Sequence, residues 1–157
     1  MRLLMKVSWA LLLVPLMLSH CAQRGPLTPE EAFHALSRAY HRGDSVALLR
    51  LLSRDSLDKV NHAAGMFARM SNEQREIIAG RLEVDPDRLK TLTPAQYLDL
   101  QFKLGRRLEE DSVREATSLK IVGSRVEKAR AAVRVANGME LFFVKEGPYW
   151  KFDMTKF

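Results

Sequence analysis

The sequence has a single cysteine, Cys21, among its 157 residues. Without a second cysteine, no disulfide can form within the chain, so the hydrophobic core alone has to stabilise the fold. No segment supplies the roughly 20 consecutive apolar residues that a membrane-spanning helix needs. Zinc-finger spacing, a His-x-x-x-His pair, repeats and low-complexity tracts are also absent. His34 and His41 stand two helical turns apart, about 10 Å. We therefore predict no metal site, no cofactor and no nucleic-acid partner.

The N-terminus has the order of features found in export signals. Arg2 and Lys6 come before the apolar segment 7–18, and Leu18-Ser19-His20-Cys21 follows it. A basic start and a short apolar run are typical of a secretory signal peptide. The ending resembles the bacterial lipoprotein signal, which carries a leucine three residues before the modified cysteine. His20 departs from the small residue usual before that cysteine. The resemblance implies lipid attachment at Cys21. The alternatives are a soluble secreted protein and an uncleaved anchor.

These features divide the chain into a signal peptide (1–20), a lipidated tether (21–27) and one domain (28–157). Loss of the signal peptide removes Arg2 and Lys6 and lowers the net charge from +6 to +4. We interpret the remaining excess as a solvated basic surface. Ala22 follows Cys21, where an aspartate would favour inner-membrane retention. We therefore expect a cell-envelope protein at the periplasmic face of the outer membrane, with the membrane as its partner through the lipid on Cys21.

The first half of the domain has the spacing of helices. Thr28 is placed to cap a helix that has Pro29 at its first position, and Glu31 is placed to complete a capping box. Apolar residues then recur at helical spacing until Gly43 ends the helix. Further helix starts are indicated at Asp44, Ser53, Ser71, Asp85 and Thr93.

From about Thr117 the apolar residues alternate, which predicts strands. Asn137-Gly138 indicates a hairpin with a two-residue loop, which would pair Val133 with Phe142. That register places Ala131, Val133, Phe142 and Val144 on the core face. The prediction is an α+β fold with N-terminal helices packed on a curved C-terminal antiparallel sheet of about four strands.

Four segments resemble the NTF2-like superfamily, as it occurs in small uncharacterised lipoproteins: 29–33 (PEEAF), 41–44 (HRGD), 51–53 (LLS) and 143–152 (FVKEGPYWKF). The resemblance covers residues 28–154 and implies a bent sheet wrapped around helices to form a cone with a pocket. The helical middle, residues 57–108, is longer than the single helix usual in that family. Some members are isomerases or cyclases, in which a pocket aspartate acts as base and a tyrosine or an acid holds the developing oxyanion.

Candidate site residues follow from this resemblance and from the aromatic positions. Tyr40 and Asp58 are weak matches for the catalytic tyrosine and base; the alternative is a core aromatic and a solvated acid. Candidates to line an apolar pocket are Phe33, Tyr40, Phe67, Phe142 and Trp150, unless they pack in the core. The basic residues Lys128, Arg130 and Arg134 either contact anions or protect an exposed strand. We expect a non-enzymatic module that binds a protein or a small apolar ligand; the alternative is a pocket enzyme of the isomerase or cyclase type.

Overall fold

The structure, a computed structural model, describes residues 25–108 and 112–156, and in that part of the chain the α-helices precede the strands. The helices are α1 (Pro29–Arg42), α2 (Ser45–Leu51), α3 (Arg54–Arg69), α4 (Asn72–Leu82), α5 (Pro86–Lys90), α6 (Pro94–Leu108) and α7 (Ser112–Ser118). The strands are β1 (Ile121–Glu127), β2 (Arg130–Val135), β3 (Glu140–Glu146) and β4 (Tyr149–Phe152), and a 3-10 helix, η1 (Met154–Lys156), follows them. The predicted α+β class, with N-terminal helices and a C-terminal antiparallel sheet, is confirmed.

The helices α1 to α6 begin at the residues that the sequence indicates. Thr28 Oγ1 accepts a 3.1 Å hydrogen bond from the Glu31 N–H, and Asp44 Oδ1 accepts one of 2.8 Å from the Ala47 N–H. These side chains satisfy backbone donors that have no partner within the helix. Gly43 ends α1 with a φ of 64°. Ser53, Ser71 and Asp85 cap α3, α4 and α5 in the same way.

The cap of α6 forms a complete capping box, whereas the one predicted for α1 does not. At the start of α6, the Thr93 N–H donates to Gln96 Oε1 at 2.9 Å and the Gln96 N–H donates to Thr93 Oγ1 at 3.3 Å, so that box is complete. At the start of α1, Glu31 Oε2 instead accepts a 2.7 Å hydrogen bond from the Leu27 N–H. The Glu31 carboxylate therefore fixes the residue before the cap, which directs the incoming chain.

The helix α7 is absent from the sequence-based prediction. It is short, and its buried residues are Ala116 and Thr117. Ser37 on α1 donates a 2.8 Å hydrogen bond to the Thr117 carbonyl. Packing against α1, rather than an apolar repeat along the sequence, accounts for α7.

The sheet is an antiparallel meander in the order β1-β2-β3-β4. The predicted hairpin register is wrong by one residue, because Val133 pairs with Leu141 and Ala132 pairs with Phe142. The loop has three residues, 136–138, closed by a 3.0 Å hydrogen bond from the Val135 N–H to the Met139 carbonyl. Only Gly138 in this loop has a positive φ, whereas a type I′ loop needs two such residues.

The shifted register exchanges the two faces of β3. Leu141 and Phe143, 0% and 1% exposed, face the core with Val133, and Phe142 lies partly buried on the opposite face. The placements of Phe142 and Val144 on the core face are therefore wrong. The helix α1 packs against β2, β3 and β4. Its contribution to the core is Ala32, Phe33, Leu36, Ala39 and Tyr40.

The turn between α2 and α3 joins the helical half to the end of the sheet. Ser53 donates its backbone N–H to the Phe152 carbonyl at 2.9 Å, and its hydroxyl donates to Ser56 Oγ at 2.8 Å. Ser56 Oγ accepts a further hydrogen bond, 2.9 Å, from the Met154 N–H. Both serines are buried. This network fixes η1 beside β4.

Candidate functional site

A shallow groove lies on the outer face of the sheet, at the end where β1, β2 and β3 meet the segment after β4. Its volume is about 190 Å³. We call it the outer groove. It is lined by Arg125, Glu127, Arg130, Ala131, Ala132, Phe142, Phe143, Asp153 and Lys156. The lining combines an apolar floor with three basic and two acidic side chains, so it suits a partner that carries both apolar and charged groups.

The hairpin register is what brings Phe142 into the outer groove. Phe142 pairs with Ala132 of β2, and its carbonyl accepts a 2.9 Å hydrogen bond from the Asp153 N–H. Asp153 Oδ1 in turn accepts from the Thr155 N–H at 3.0 Å and from the Thr155 hydroxyl at 2.6 Å. These contacts hold the start of η1, which carries Lys156, against the rim of the groove.

The charged rim of the outer groove includes an exposed ion pair. Arg125 Nε lies 3.2 Å from Glu127 Oε1. A second ion pair joins Arg134 of β2 to Glu140 of β3 at 2.7 Å. Of the three basic residues singled out in the sequence, only Arg130 lines the groove. Lys128 lies in the β1–β2 turn with a φ of 54° and not on a strand.

The second cavity that the structure describes lies among the helices and measures about 110 Å³. It is lined by Val84, Arg88, Leu89, Leu92, Gln96, Asp99 and Leu100. None of the predicted pocket residues belongs to this lining.

The five predicted pocket residues do not come together around one cavity. Phe33 and Trp150 are buried in the core, 2% and 5% exposed. Tyr40 packs edge-on against Phe102 with ring centroids 5.3 Å apart, and Phe67 contacts Tyr97 at 6.2 Å. Phe142 alone of the five lines either described cavity.

The two catalytic candidates lie in different surroundings. Tyr40 belongs to the hydrophobic core, whereas Asp58 is exposed on α3. Neither residue lines the outer groove or the cavity among the helices. The described residues therefore do not place this tyrosine and this acid in one concave site.

The histidines and acids of the described residues lie too far apart to form a group of three. Within residues 25–108 and 112–156, no group of three histidine, cysteine, aspartate or glutamate side chains is close enough to hold a metal ion. His34 packs its ring against Phe33 at a centroid distance of 5.6 Å. His41 Nε2 lies 3.3 Å from the Ser118 hydroxyl.

Cys21, the predicted lipid attachment site, lies outside the described residues, and so do residues 22–24 of the tether. The rest of the tether is bound to the sheet: the Trp150 N–H donates a 2.9 Å hydrogen bond to the Pro26 carbonyl. Gly25 lies against the ring of Tyr149 so closely that an added Cβ would be 2.8 Å from it. The sequence carried no periodic signal for this contact, because it joins residues more than 120 positions apart.

Among the described residues, the Glu30 carboxyl and the Tyr97 hydroxyl have pKa values displaced by contacts between distant elements or by burial. A hydrogen bond from the Ser124 hydroxyl lowers the pKa of the Glu30 carboxyl and links β1 to the start of α1. Burial raises the pKa of the Tyr97 hydroxyl, whose ring contacts Phe67. Both contacts join distant parts of the fold, and neither residue lines a described cavity.

No helix among the described residues is both long enough and apolar enough to cross a bilayer. No family model matches the chain, and no curated protein or solved structure matches it at a significant level.

Proposed function

We propose that this chain is a bacterial envelope lipoprotein, held at the membrane by lipid on Cys21, and that its domain is a non-enzymatic binding module with an NTF2-like fold. The N-terminal pattern of Arg2, Lys6, the apolar segment 7–18 and Leu18-Ser19-His20-Cys21 supports the anchor. Ala22 favours the periplasmic face of the outer membrane over retention at the inner membrane.

The observation that carries the proposal is the hydrogen bond between Trp150 and Pro26. Residues 25 and 26 belong to the folded domain, so only residues 22–24 separate it from Cys21. Four Cα–Cα steps span at most about 14 Å. A lipid on Cys21 would therefore hold the β4 edge of the sheet close to the membrane surface.

The NTF2-like assignment is supported by the arrangement of the elements. The helix α1 lies against β2, β3 and β4 of a four-stranded meander, and the chain from Leu52 to Ser53 runs beside β4. Helices that precede and cover one face of an antiparallel sheet are the arrangement that the resemblance implies.

The outer groove supports a binding role. Its floor includes Phe142, and its rim has both basic and acidic side chains. This lining suits a protein segment or a small ligand with an apolar part and an acidic group. Arg130 and Lys156 supply positive charge, and neither forms an ion pair with a carboxylate within residues 25–108 and 112–156. We favour this role over the isomerase or cyclase alternative, since Tyr40 is in the core and Asp58 is exposed on a helix.

The anchor is tested by metabolic labelling of the full chain in an enterobacterial host with radioactive palmitate, followed by fractionation. We expect the wild type to carry label and to sediment with outer membranes, and Cys21→Ala to lose the label. Ala22→Asp is the matched control, because it keeps Cys21: it should retain the label and move to inner membranes. An unlabelled wild type would reject the lipid anchor.

The groove is tested with 8-anilinonaphthalene-1-sulfonate, an aromatic anion whose fluorescence rises in apolar surroundings. We expect binding by the wild type and loss of most of the signal in Phe142→Ala and in Arg130→Glu. Ile77→Ala, which truncates an exposed apolar side chain on α4, should leave binding unchanged. Equal binding by all four proteins would reject the outer groove as the binding site.

A further inference from the structure

The two edges of the sheet differ in how far other segments of the chain cover them. The outer edge of β4 is covered, because Ser53 donates to the Phe152 carbonyl and the Pro26 carbonyl accepts from Trp150. At the outer edge of β1, no backbone hydrogen bond arrives from another segment of residues 25–108 or 112–156. An uncovered edge is a template for pairing with another strand.

The register identifies the backbone groups at that open edge. The Val135 N–H donates to Met139 and the Lys145 N–H donates to Ala129, so odd-numbered residues of β2 bond to β3. Even-numbered residues of β2 therefore bond to β1, where their partners are Gly123, Arg125 and Glu127. It follows that Ser124 and Val126 turn their N–H and C=O groups to the open edge.

The side chains around Val126 complement a second copy of themselves. Val126 is 52% exposed, and Arg125 and Glu127 stand on either side of it with exposed side chains. If two β1 strands run antiparallel about a two-fold axis at Val126, each Arg125 lies opposite the other copy's Glu127. Opposite charges directly across an antiparallel pair are stabilising, and like charges are destabilising.

Other centres of pairing are less favourable. An axis at Arg125 would place two arginines opposite each other. An axis at Ser124 would draw Val122 into the ladder, but the register of β1 is interrupted between Ile121 and Gly123. A bulge of this kind twists a strand edge and ends regular pairing. Both the extent of regular pairing in β1 and the positions of its charges therefore favour an axis at Val126.

We propose that β1 is a self-association edge, at which two copies of this chain join antiparallel about Val126 into one continuous sheet. The Val126 N–H and C=O groups of each copy exchange hydrogen bonds with those of the other. Because Arg125 and Glu127 also line the outer groove, the two grooves lie side by side across the axis. This proposal goes beyond the lipoprotein assignment and does not depend on it.

Disulfide cross-linking of the full chain tests the axis. Val126→Cys places two thiols in a hydrogen-bonded pair with Cα atoms about 5.5 Å apart, within the range of a disulfide. Copper phenanthroline and oxygen oxidise the two thiols, and non-reducing electrophoresis measures the dimer. We expect Val126→Cys to form most of the dimer. Ser124→Cys and Val122→Cys, which lie opposite Lys128 and Arg130 of the other copy, should form little.

The wild type, which retains Cys21, is the control. If Cys21 carries no lipid, its free thiol could cross-link two copies, and the wild type would then form a dimer without a cysteine in β1. Thermal melts of each variant establish that it is folded. Dimer that is strongest at position 124, equal at all three positions or absent at all three would overturn the proposed axis.

Charge reversal in the Val126→Cys background is the second test. Arg125→Glu and Glu127→Arg each place like charges opposite one another twice across the axis, and we expect about a five- to tenfold fall in dimer yield. The double exchange Arg125→Glu/Glu127→Arg restores both cross-pairs and should restore the yield. Equal dimer yields in all of these variants, or a yield in the double exchange no higher than in the single ones, would overturn the pairing of Arg125 with Glu127.

Discussion

The Trp150 N–H donates a 2.9 Å hydrogen bond to the Pro26 carbonyl, across more than 120 residues of sequence. Pro26 therefore lies at the outer edge of β4, and residues 25 and 26 are docked against the sheet. The folded domain begins almost at the proposed lipid. We infer that anchor and domain behave as one unit, with the β4 edge towards the membrane and the β1 edge away from it.

The contact between Gly25 and Tyr149 predicts a test of this unit. A Cβ at position 25 would lie 2.8 Å from the Tyr149 ring, so Gly25→Ala should displace the tether and cost about 1–3 kcal/mol in the free energy of unfolding. Gly80→Ala is the control, because a Cβ there meets open space on α4 and should stabilise the protein by about 0.5–1 kcal/mol. Urea denaturation measures both changes, and a neutral Gly25→Ala would argue against a docked tether.

The register of the β2–β3 hairpin predicts opposite outcomes for two adjacent phenylalanines. Phe143 is 1% exposed in the core, so Phe143→Ala should lower the free energy of unfolding by about 3–5 kcal/mol. Phe142→Ala, on the partly exposed outer face, should cost less than half as much. Chemical denaturation of both variants measures the two losses. If Phe142→Ala lowers the free energy of unfolding more than Phe143→Ala, the two faces of β3 are assigned the wrong way round.

The hydrogen bonds between the buried residues Ser53 and Ser56 predict a clear loss of stability when one hydroxyl is removed. Ser56→Ala removes the acceptor of the Met154 N–H and the partner of the Ser53 hydroxyl, so about 1–3 kcal/mol of stability should be lost. Ser118→Ala, at an exposed hydroxyl, should change stability by less than about 0.5 kcal/mol. Thermal unfolding of the pair measures the difference, and equal melting temperatures would mean that the network contributes nothing.

The hydrogen bond between Ser124 and Glu30 predicts a dependence of stability on pH. It lowers the pKa of Glu30 below its ordinary value of 4.5, so the folded state favours the ionised carboxylate. That contribution is complete above about pH 4.5 and is lost as the pH falls through the lowered value. Ser124→Ala should therefore destabilise the protein slightly at pH 7 and less at pH 3. Denaturation curves of the wild type and Ser124→Ala at both pH values provide the measurement. A stability difference between the two proteins that is larger at pH 3 than at pH 7 would contradict the prediction.

Local signals in the sequence were sufficient for most of the helical half. Thr28, Asp44, Ser53 and Ser71 cap helices at the predicted places because a cap depends on residues within one turn. The meander of four strands also followed from alternation and turn residues. These features need no knowledge of distant contacts.

What the sequence did not reveal depends on tertiary contacts or on one torsion angle. The helix α7 exists because Thr117 meets Ser37 on α1. The hairpin loop gained one residue because Asn137 does not adopt the positive φ of a type I′ turn and instead accepts a 3.0 Å hydrogen bond from the Met139 N–H. That single residue moved Phe142 from the core to the outer groove.

The candidate site was the least predictable part. Aromatic residues chosen for a pocket mostly fill the core, as Phe33 and Trp150 do, because aromatic side chains contribute large buried areas. Phe142 reached the outer groove through a register that alternation alone did not determine. The charges around it, Arg125 and Glu127, lie on β1, where nearly every side chain is exposed and apolar alternation therefore gives no signal.

The central claim, a lipid on Cys21, is tested most directly by mass spectrometry of the N-terminal peptide of the protein purified from membranes. The account predicts that residues 1–20 are absent and that the peptide begins at Cys21 with a mass increased by acyl chains. A peptide that still contains Met1, or a Cys21 thiol that iodoacetamide alkylates, would contradict it.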